Sequence, residues 1–360
     1  MSDTNRDFNR SRLFAASCIA LLLTAMTFAF RARLETVFGP EGAGLTLEQI
    51  GYAFMPAFWG FTIAMVVGGP IVDFLGMRKG MIFAFLLHLA GIVATLLASD
   101  FNSLFAATVF MGLGNGMVEA VCNPLVASSY PDKKVKMLNR FHMWWPAGIL
   151  TGSILGVIVM DVMGLSWQVR VGLLFIPLIA YGYLFMGQKF PVTERVEMGV
   201  STGQALKTLV SPLYLFIGFC MMLSAATELG TTQRIESLLR ETGVNALVVL
   251  AFITGIMRIG RHYAGSIGSV LSTSGMLWFS AIFSFIGLWL LSMTSGYMVF
   301  AAAAVFAIGI TFFWPTTLSF VSETMPESGA FGLSIMGGLG MLSVSVVLPI
   351  MGRILDNAEG

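Results

Sequence analysis

Residues 79–98 read KGMIFAFLLHLAGIVATLLA, a run of 20 residues whose only Lys, Arg, Asp or Glu is the lysine at its start. A helix needs about 20 mostly apolar residues to cross the hydrocarbon core of a bilayer. Ten further apolar runs occur along the 360 residues, separated by charged, glycine-rich or proline-containing stretches. The sequence therefore predicts an all-α integral membrane protein with about eleven transmembrane helices. The predicted spans are 12–32, 47–71, 79–98, 103–128, 141–161, 167–188, 211–230, 244–265, 272–293, 297–322 and 329–352.

The composition excludes the soluble classes of protein. The chain is 56% hydrophobic and only 11% charged, whereas a soluble domain has about 25% charged residues. This excludes a soluble enzyme, a secreted disulfide scaffold and a nucleic-acid binder. The three cysteines, Cys18, Cys122 and Cys220, lie in apolar runs and are expected to be buried rather than disulfide-bonded. The sequence contains no phosphate-binding loop and no pattern of metal ligands, so no cofactor or metal is expected.

The basic residues predict the orientation in the membrane. They precede the first span, follow the second, fourth and sixth spans and lie at the end of the eighth, whereas the opposite loops carry mainly acids. Because Lys and Arg are enriched in cytoplasmic loops, the N-terminus is predicted to be cytoplasmic in a multi-pass cell-membrane protein. The basic residues are Arg6, Arg10, Arg12, Arg78, Lys79, Lys133, Lys134, Lys136, Arg140, Lys189, Arg195, Lys207 and Arg261.

One long polar stretch divides the chain. It predicts a cytoplasmic linker at 189–210, between an N-terminal six-helix bundle (1–188) and a C-terminal bundle of five helices (211–360). Similar features recur in the two halves. Gly69 and Gly265 are 196 residues apart near the ends of spans two and eight, and Pro131 and Pro326 are 195 apart after spans four and ten. Two matches at nearly one offset favour an internal duplication.

Residues 69–79, GPIVDFLGMRK, lie between the second and third predicted spans. This run resembles the signature loop of the major facilitator superfamily, which occupies the same place. Its glycines allow close helix approach, and Asp73 can cap a helix N-terminus or pair with a base across the bundle interface. The predicted gating residues are Gly69, Asp73, Gly76, Arg78 and Lys79, with Arg261 at the corresponding end of span eight.

The resemblance covers essentially the whole chain and implies two bundles that rock about a midplane site, which each side of the membrane reaches in turn. The superfamily has twelve helices, so the count of six plus five predicts that the twelfth is missing.

Residues 112–124, GLGNGMVEAVCNP, and 138–142, LNRFH, resemble the fucose permease branch, the sugar–proton symporters for fucose, galactose and glucose. In that branch the acid before Asn-Pro faces the central cavity and serves substrate binding and proton coupling, which implies the same roles for Glu119. Glu228 and the pair Trp314-Pro315 match more weakly. The branch also has an acid in the outer part of span one, where this sequence has Arg31 and Arg33 instead.

A carboxyl in the middle of the membrane costs about 2.5–3.5 kcal/mol on insertion scales, so Glu119 requires a partner, a proton or a wet cavity. The sequence leaves simpler interpretations open for the other candidates. Arg31 and Arg258 could extend to the membrane surface, Trp145 could belong to an aromatic belt, and Glu228 could lie in an outer charge cluster. The predicted substrate-binding and coupling residues are Glu119, Asn123, His142, Trp145, Arg31 and Glu228.

The expected function is secondary transport, without enzymatic activity, of a sugar or sugar-like solute together with protons. The expected partners are this small molecule, protons and the lipid bilayer, and the chain is expected to be a monomer. One alternative is an organic-anion or sugar-acid carrier that uses Arg31 and Arg258. A second alternative is a non-transporting membrane receptor or scaffold, which would have a filled, apolar interior.

Overall fold

A computed structural model describes residues 8–39, 42–233, 235–239 and 242–359, and all regular structure in these ranges is helical. Ten stretches are long and apolar enough to cross a membrane. An eleventh long helix, Ala246–Ile267, lies at the predicted eighth span and carries Arg258 and Arg261. Its 22 residues correspond to a length of about 33 Å. The prediction of an all-α membrane fold with about eleven spans is confirmed.

The spans are numbered here in chain order. The first six are span 1 (Arg10–Phe38), span 2 (Leu47–Phe54 and Pro56–Leu75), span 3 (Met77–Leu97), span 4 (Phe101–Ser129), span 5 (Lys134–His142, Trp144–Gly156 and the π-helical Val157–Val162) and span 6 (Trp167–Gly172 and Phe175–Phe185). The next five are span 7 (Pro212–Ala225, the π-helical Ala226–Gly230, Thr231–Gln233 and Ile235–Leu238), span 8 (Ala246–Ile267), span 9 (Thr273–Met293), span 10 (Met298–Ile310 and Phe313–Thr324) and span 11 (Gly329–Glu359).

Two short helices, Glu194–Glu197 and Thr202–Leu209, lie between spans 6 and 7 in the segment predicted as a linker. Single turns of 3₁₀-helix, Pro131–Lys133 and Pro326–Ser328, precede spans 5 and 11. We call the end of the bundle that carries these short helices the linker side, and the opposite end the far side.

Span 4 is the central helix of the first half, and it packs closely against span 2. A side chain at Gly112 or Gly116 would place its Cβ 2.2 Å from the carbonyl oxygen of Pro56 or Phe61, respectively. The two backbones therefore touch, as in other membrane helix pairs that meet through small residues. From Gly114 to Ser129 every residue of span 4 is buried.

The two halves of the molecule share an apolar cluster. Phe61 and Met65 of span 2 belong to one buried group with Met221 of span 7 and Leu333 and Met336 of span 11. Closer to the linker side, a Cβ at Gly69 would lie 2.8 Å from the Cα of Phe331 in span 11.

Spans 5 and 8 also meet on the linker side, because a Cβ at Gly265 would lie 2.7 Å from the side chain of Lys136. The linker side is thus closed by two helix pairs, spans 2 and 11 and spans 5 and 8.

We predict that Gly116→Ala lowers the thermal unfolding midpoint of the purified protein. The added methyl group would force spans 2 and 4 apart, and overpacking of this kind costs about 1–3 kcal/mol. Gly255→Ala in span 8 is the matched control, since nothing lies within 4 Å of its Cβ position and Ala favours a helix by about 1 kcal/mol over Gly. Equal midpoints for the two variants would contradict the close approach of spans 2 and 4.

Candidate functional site

A small enclosed cavity lies between the two halves of the molecule, at the level where spans 4, 5, 7 and 8 carry charged or polar side chains. Its volume is about 20 Å³, enough for about one water molecule. The site is therefore closed around its own side chains. The lining residues are Phe61, Glu119, His142, Trp145, Glu228, Leu229, Arg261, Trp314 and Met341.

Span 4 and span 5 are joined by a chain of polar contacts. Asn123 lies one helical turn after Glu119 and donates from Nδ2 to Glu119 Oε2 over 2.6 Å. The other amide atom of Asn123, Oδ1, lies 2.9 Å from His142 Nε2. Because an amide oxygen accepts, this contact places a proton on His142 Nε2. His142 Nε2 is 3.9 Å from Glu119 Oε2, and both side chains are buried.

Arg261 of span 8 is 2% exposed and binds three other helices. Its Nε donates to the carbonyl oxygen of Thr311 over 2.8 Å, and its Nη1 donates to the carbonyl oxygen of His142 over 3.1 Å. Its Nη2 donates to Glu228 Oε1 over 3.0 Å. The guanidinium group therefore connects span 5 of the first half to spans 7, 8 and 10 of the second half.

Two prolines explain why these carbonyl groups are available. In a helix the carbonyl of residue i normally accepts from the N–H of residue i+4, and proline has no N–H. Pro146 follows His142 by four residues, and Pro315 follows Thr311 by four residues. The helices are also interrupted here, at Met143 in span 5 and between Ile310 and Phe313 in span 10. Each interruption leaves one carbonyl for Arg261.

Glu228 lies in the π-helical turn Ala226–Gly230 of span 7, and such turns are frequent at functional sites. Its Oε1 accepts from Arg261, whereas its Oε2 has no hydrogen-bond partner within the described part of the chain. The indole Nε1 of Trp314 is likewise buried without a partner there. Glu228 Oε2 and Trp314 Nε1 are thus an acceptor and a donor in the cavity that form no hydrogen bond with the described residues.

The charged groups of the cavity are unequally paired. Glu228 is paired with Arg261 at 3.0 Å, and the nearest basic group to Glu119 in the described ranges is the imidazole of His142, at 3.9 Å. A buried carboxylate without a cation is costly. Glu119 is therefore stable in this closed site when it is neutral, or when another cation or water reaches it.

The structure brings Glu119, Asn123, His142, Trp145 and Glu228 together around the cavity. Trp145 packs against Phe28, with ring centroids 5.3 Å apart and ring planes tilted by 52°. Of the residues that line the cavity, sequence reasoning missed Phe61, Leu229 and Met341, because single apolar residues in apolar spans carry no signal.

Two other predicted residues lie outside this cavity. The Arg31 guanidinium lies 4.9 Å from the ring centroid of Phe28 and 4.7 Å from that of Phe58, beside a separate cavity of about 50 Å³ inside the first half. Arg258 lies over Trp144 at 5.9 Å. The side chain of Arg33 lies outside the described residues.

The predicted gating residues lie on the linker side, except Arg261. Asp73 accepts from Thr193 Oγ1 over 2.6 Å and from Arg195 Nε over 2.9 Å. Gly76 has φ +87°, a backbone conformation that glycine adopts readily. Arg261 instead lines the central cavity, where it binds His142 and Glu228, six residues before span 8 ends at Ile267. The sequence comparison with the end of span 2 had placed it with the gate.

Lys134 of span 5 contacts both the linker and the second half of the molecule. Lys134 Nζ lies 2.8 Å from Glu194 Oε1 and donates to the carbonyl oxygen of Ser322 in span 10 over 2.8 Å. We call Asp73, Lys134, Thr193, Glu194 and Arg195 the linker cluster. Sequence reasoning identified the polar segment but not these partners, because a run of charges does not specify which groups pair.

The comparisons with known proteins agree with this fold. The family model described as Major Facilitator Superfamily matches residues 10–352. The structure of the Escherichia coli fucose:proton symporter FucP superposes with a TM-score of 0.78 at 17% identity, covering 96% of this chain and 92% of that chain. At this identity the likeness shows the fold.

Two curated relatives match over parts of their length. The D-xylose-proton symporter-like 3 protein of Arabidopsis thaliana is 26% identical over 125 residues, which are 34% of this chain and 22% of that protein. The hexuronate transporter of Bacillus subtilis (strain 168) is 26% identical over 170 residues, 47% of this chain and 39% of that protein. The chain thus spans less than half the length of either relative. With a family model that matches nearly all of its residues, the chain belongs to the Major Facilitator Superfamily.

Proposed function

We propose that the chain transports a sugar or sugar-like solute together with protons, and that Glu119 carries the proton. The observation that supports this proposal is the charge pairing in the cavity. Arg261 forms its ion pair with Glu228, whereas the ion-pair contact of Glu119 within the described residues is the imidazole of His142. A neutral solute leaves this pairing intact, and Glu119, which has no direct ion pair with a described Lys or Arg, supplies a place for a proton.

The lining of the cavity suits a sugar. A sugar ring has an apolar face of C–H groups and an edge of hydroxyl groups. The indole rings of Trp145 and Trp314 can pack against the apolar face. The unused acceptor Glu228 Oε2 and the unused donor Trp314 Nε1 can form hydrogen bonds with the hydroxyl groups. Two of the similar proteins, a fucose:proton symporter and a D-xylose-proton symporter-like protein, are consistent by name with this chemistry.

Coupling follows from the cost of closing the site. The closed cavity has room for about one water molecule, too little to hydrate a carboxylate. Closure around an ionised Glu119 is therefore unfavourable, whereas closure around a protonated Glu119 is not. If the solute-loaded carrier closes only with Glu119 protonated, and the empty carrier returns with Glu119 ionised beside water, each cycle moves one proton together with the solute.

In this proposal 1–188 and 211–360 are the two rocking units, and 189–210 is the segment between them. The linker side is cytoplasmic in the cell membrane, and the chain works as a monomer. The contact from Arg261 Nη1 to the His142 carbonyl crosses between the units at the level of the site. The linker cluster holds the units together on the linker side.

A carrier of sugar acids is the second candidate, because Arg261 lies in the cavity and the hexuronate transporter is a relative. Arg31 and Arg258, on which this alternative first rested, do not line the cavity. An anionic substrate would have to displace the Glu228 carboxylate from its ion pair with Arg261. The polar centre argues against the receptor or scaffold alternative, which expects an apolar one.

We predict that Glu119→Gln abolishes proton-driven accumulation in proteoliposomes and spares exchange of the same solute. The amide keeps the shape of the carboxyl but takes up no proton. The test compares uptake of neutral sugars and sugar acids under an imposed inward proton gradient. Glu323→Gln is the control, because this exposed carboxyl at the end of span 10 lies outside the cavity.

Accumulation by Glu119→Gln at the parent's level would contradict proton transfer at Glu119. Accumulation of sugar acids alone, lost on Arg261→Gln, would favour the second candidate.

We predict that Pro146→Ala and Pro315→Ala each slow uptake by about tenfold. The restored N–H would compete with Arg261 for the carbonyl of His142 or Thr311, and a hydrogen bond to a charged group contributes about 1.5–3 kcal/mol. Pro177→Ala in span 6 is the control, since this proline lies away from the cavity. Uptake rates like that of Pro177→Ala would show that the two carbonyls do not hold Arg261.

We predict that Asp73→Asn opens the linker side. Loss of the charge weakens the contact with Arg195, so a cysteine at Ser128, which is buried beside Glu194 and Ser322, should react severalfold faster with a maleimide. The background would lack the native cysteines. Asp100→Asn at the far side is the control, because Asn caps a helix as well as Asp. Equal labelling rates would contradict a closing role for Asp73.

A further inference from the structure

An apolar groove runs along the outer surface of the first half, between spans 3 and 6, and ends at the linker side. Its volume is about 490 Å³. Its walls include Ile82 on span 3 and Ile179 and Met186 on and just after span 6, which are 52%, 63% and 65% exposed. These side chains face away from the protein interior, in the part of the molecule that the bilayer surrounds.

The wall formed by span 6 is held in place by Arg12 of span 1. Arg12 Nε donates to the carbonyl oxygen of Leu184 over 2.9 Å, and the guanidinium group lies 5.5 Å from the ring centroid of Tyr183. Gly182 leaves room for the ring of Phe85, to which a Cβ at this position would come within 2.6 Å. The shape of the groove is therefore determined by specific contacts among spans 1, 3 and 6.

At the linker side the groove continues into a second cavity of about 490 Å³ that is more polar. Arg78, Gly187 and Phe190 line both cavities, so they form one continuous surface. The second cavity is bounded by Lys189 and by Asp73 and Thr193 of the linker cluster. An occupant of the whole surface would have an apolar part in the bilayer and a polar part at the membrane surface.

Two exposed basic side chains, Arg78 and Lys189, lie at this junction. The Arg78 side chain makes no hydrogen bond or ion pair with any residue the structure describes. Asp73 is the one acid among the lining residues, and its two oxygens already accept from Thr193 and Arg195. The guanidinium group of Arg78 therefore remains available to a negatively charged group at this junction.

We propose that this surface binds an anionic glycerophospholipid of the leaflet on the linker side. One acyl chain lies in the groove between spans 3 and 6, and the phosphate group contacts Arg78 and Lys189. Basic residues at the membrane surface attract anionic lipids in this way. Because Lys189 and Thr193 belong to the linker, and Thr193 binds Asp73 of span 2, the bound lipid stabilises the arrangement of the linker cluster.

The test measures the thermal unfolding midpoint of the full chain, purified in an uncharged detergent and titrated with dioctanoyl phosphatidylglycerol. Dioctanoyl phosphatidylcholine is the control for the acyl chains, and inorganic phosphate is the control for the anion. We expect a saturable rise with phosphatidylglycerol only. The double variant Arg78→Gln with Lys189→Gln should raise the half-saturating concentration by about tenfold or more, and Lys207→Gln, an exposed linker base outside the groove, should not.

A second pair of variants keeps every charge. Ile179→Trp fills the groove and should weaken the response to phosphatidylglycerol, whereas Ile176→Trp, on the same helix and 66% exposed outside the groove, should leave it unchanged. The proposal is overturned if the two lipids act equally, if inorganic phosphate alone reproduces the rise, or if Lys207→Gln weakens the response as much as the double variant. None of these outcomes depends on what the protein transports.

Discussion

A buried guanidinium group organises the centre of this molecule. Arg261 lies at the meeting point of the two halves, and a charge in that position requires acceptors that the membrane does not provide. Two of them are backbone carbonyls, left open because Pro146 and Pro315 lack the N–H that would otherwise bind them. The third is Glu228. Arg261 thus joins four spans, and it does so through two helix interruptions and one π-helical turn.

In the proposed mechanism, the contacts of Arg261 also decide which carboxyl carries the proton. Because Glu228 is engaged by Arg261, we propose Glu119 as the carboxyl whose protonation state changes the cost of closing the site. The linker cluster lies at the linker-side end of the interface. There Asp73 and Lys134 bind the linker, and Lys134 also binds span 10. The central site and the gate are therefore separate sets of contacts across one interface between the halves.

The fold and part of the site were predictable from the sequence, because apolar runs of about 20 residues and charges within them are strong signals. Glu119 and Asn123 were found from one motif on one helix. The position of Arg261 was not found: the predicted end of span 8 at residue 265 is only two residues short of Ile267, but the comparison with span 2 assigned Arg261 to the gate, and a single span does not reveal which groups of the other helices surround it. The partners of Asp73 depend on how the linker folds, which a polar sequence does not specify.

The most direct test of the account is the pH dependence of solute binding by the purified protein, measured at equilibrium with the solute that the uptake panel identifies. If the site closes only around a protonated Glu119, binding takes up one proton. The affinity then falls as the pH rises, approaching about tenfold per pH unit, and Glu119→Gln removes this dependence. An affinity that stays constant with pH in the parent protein would contradict the account.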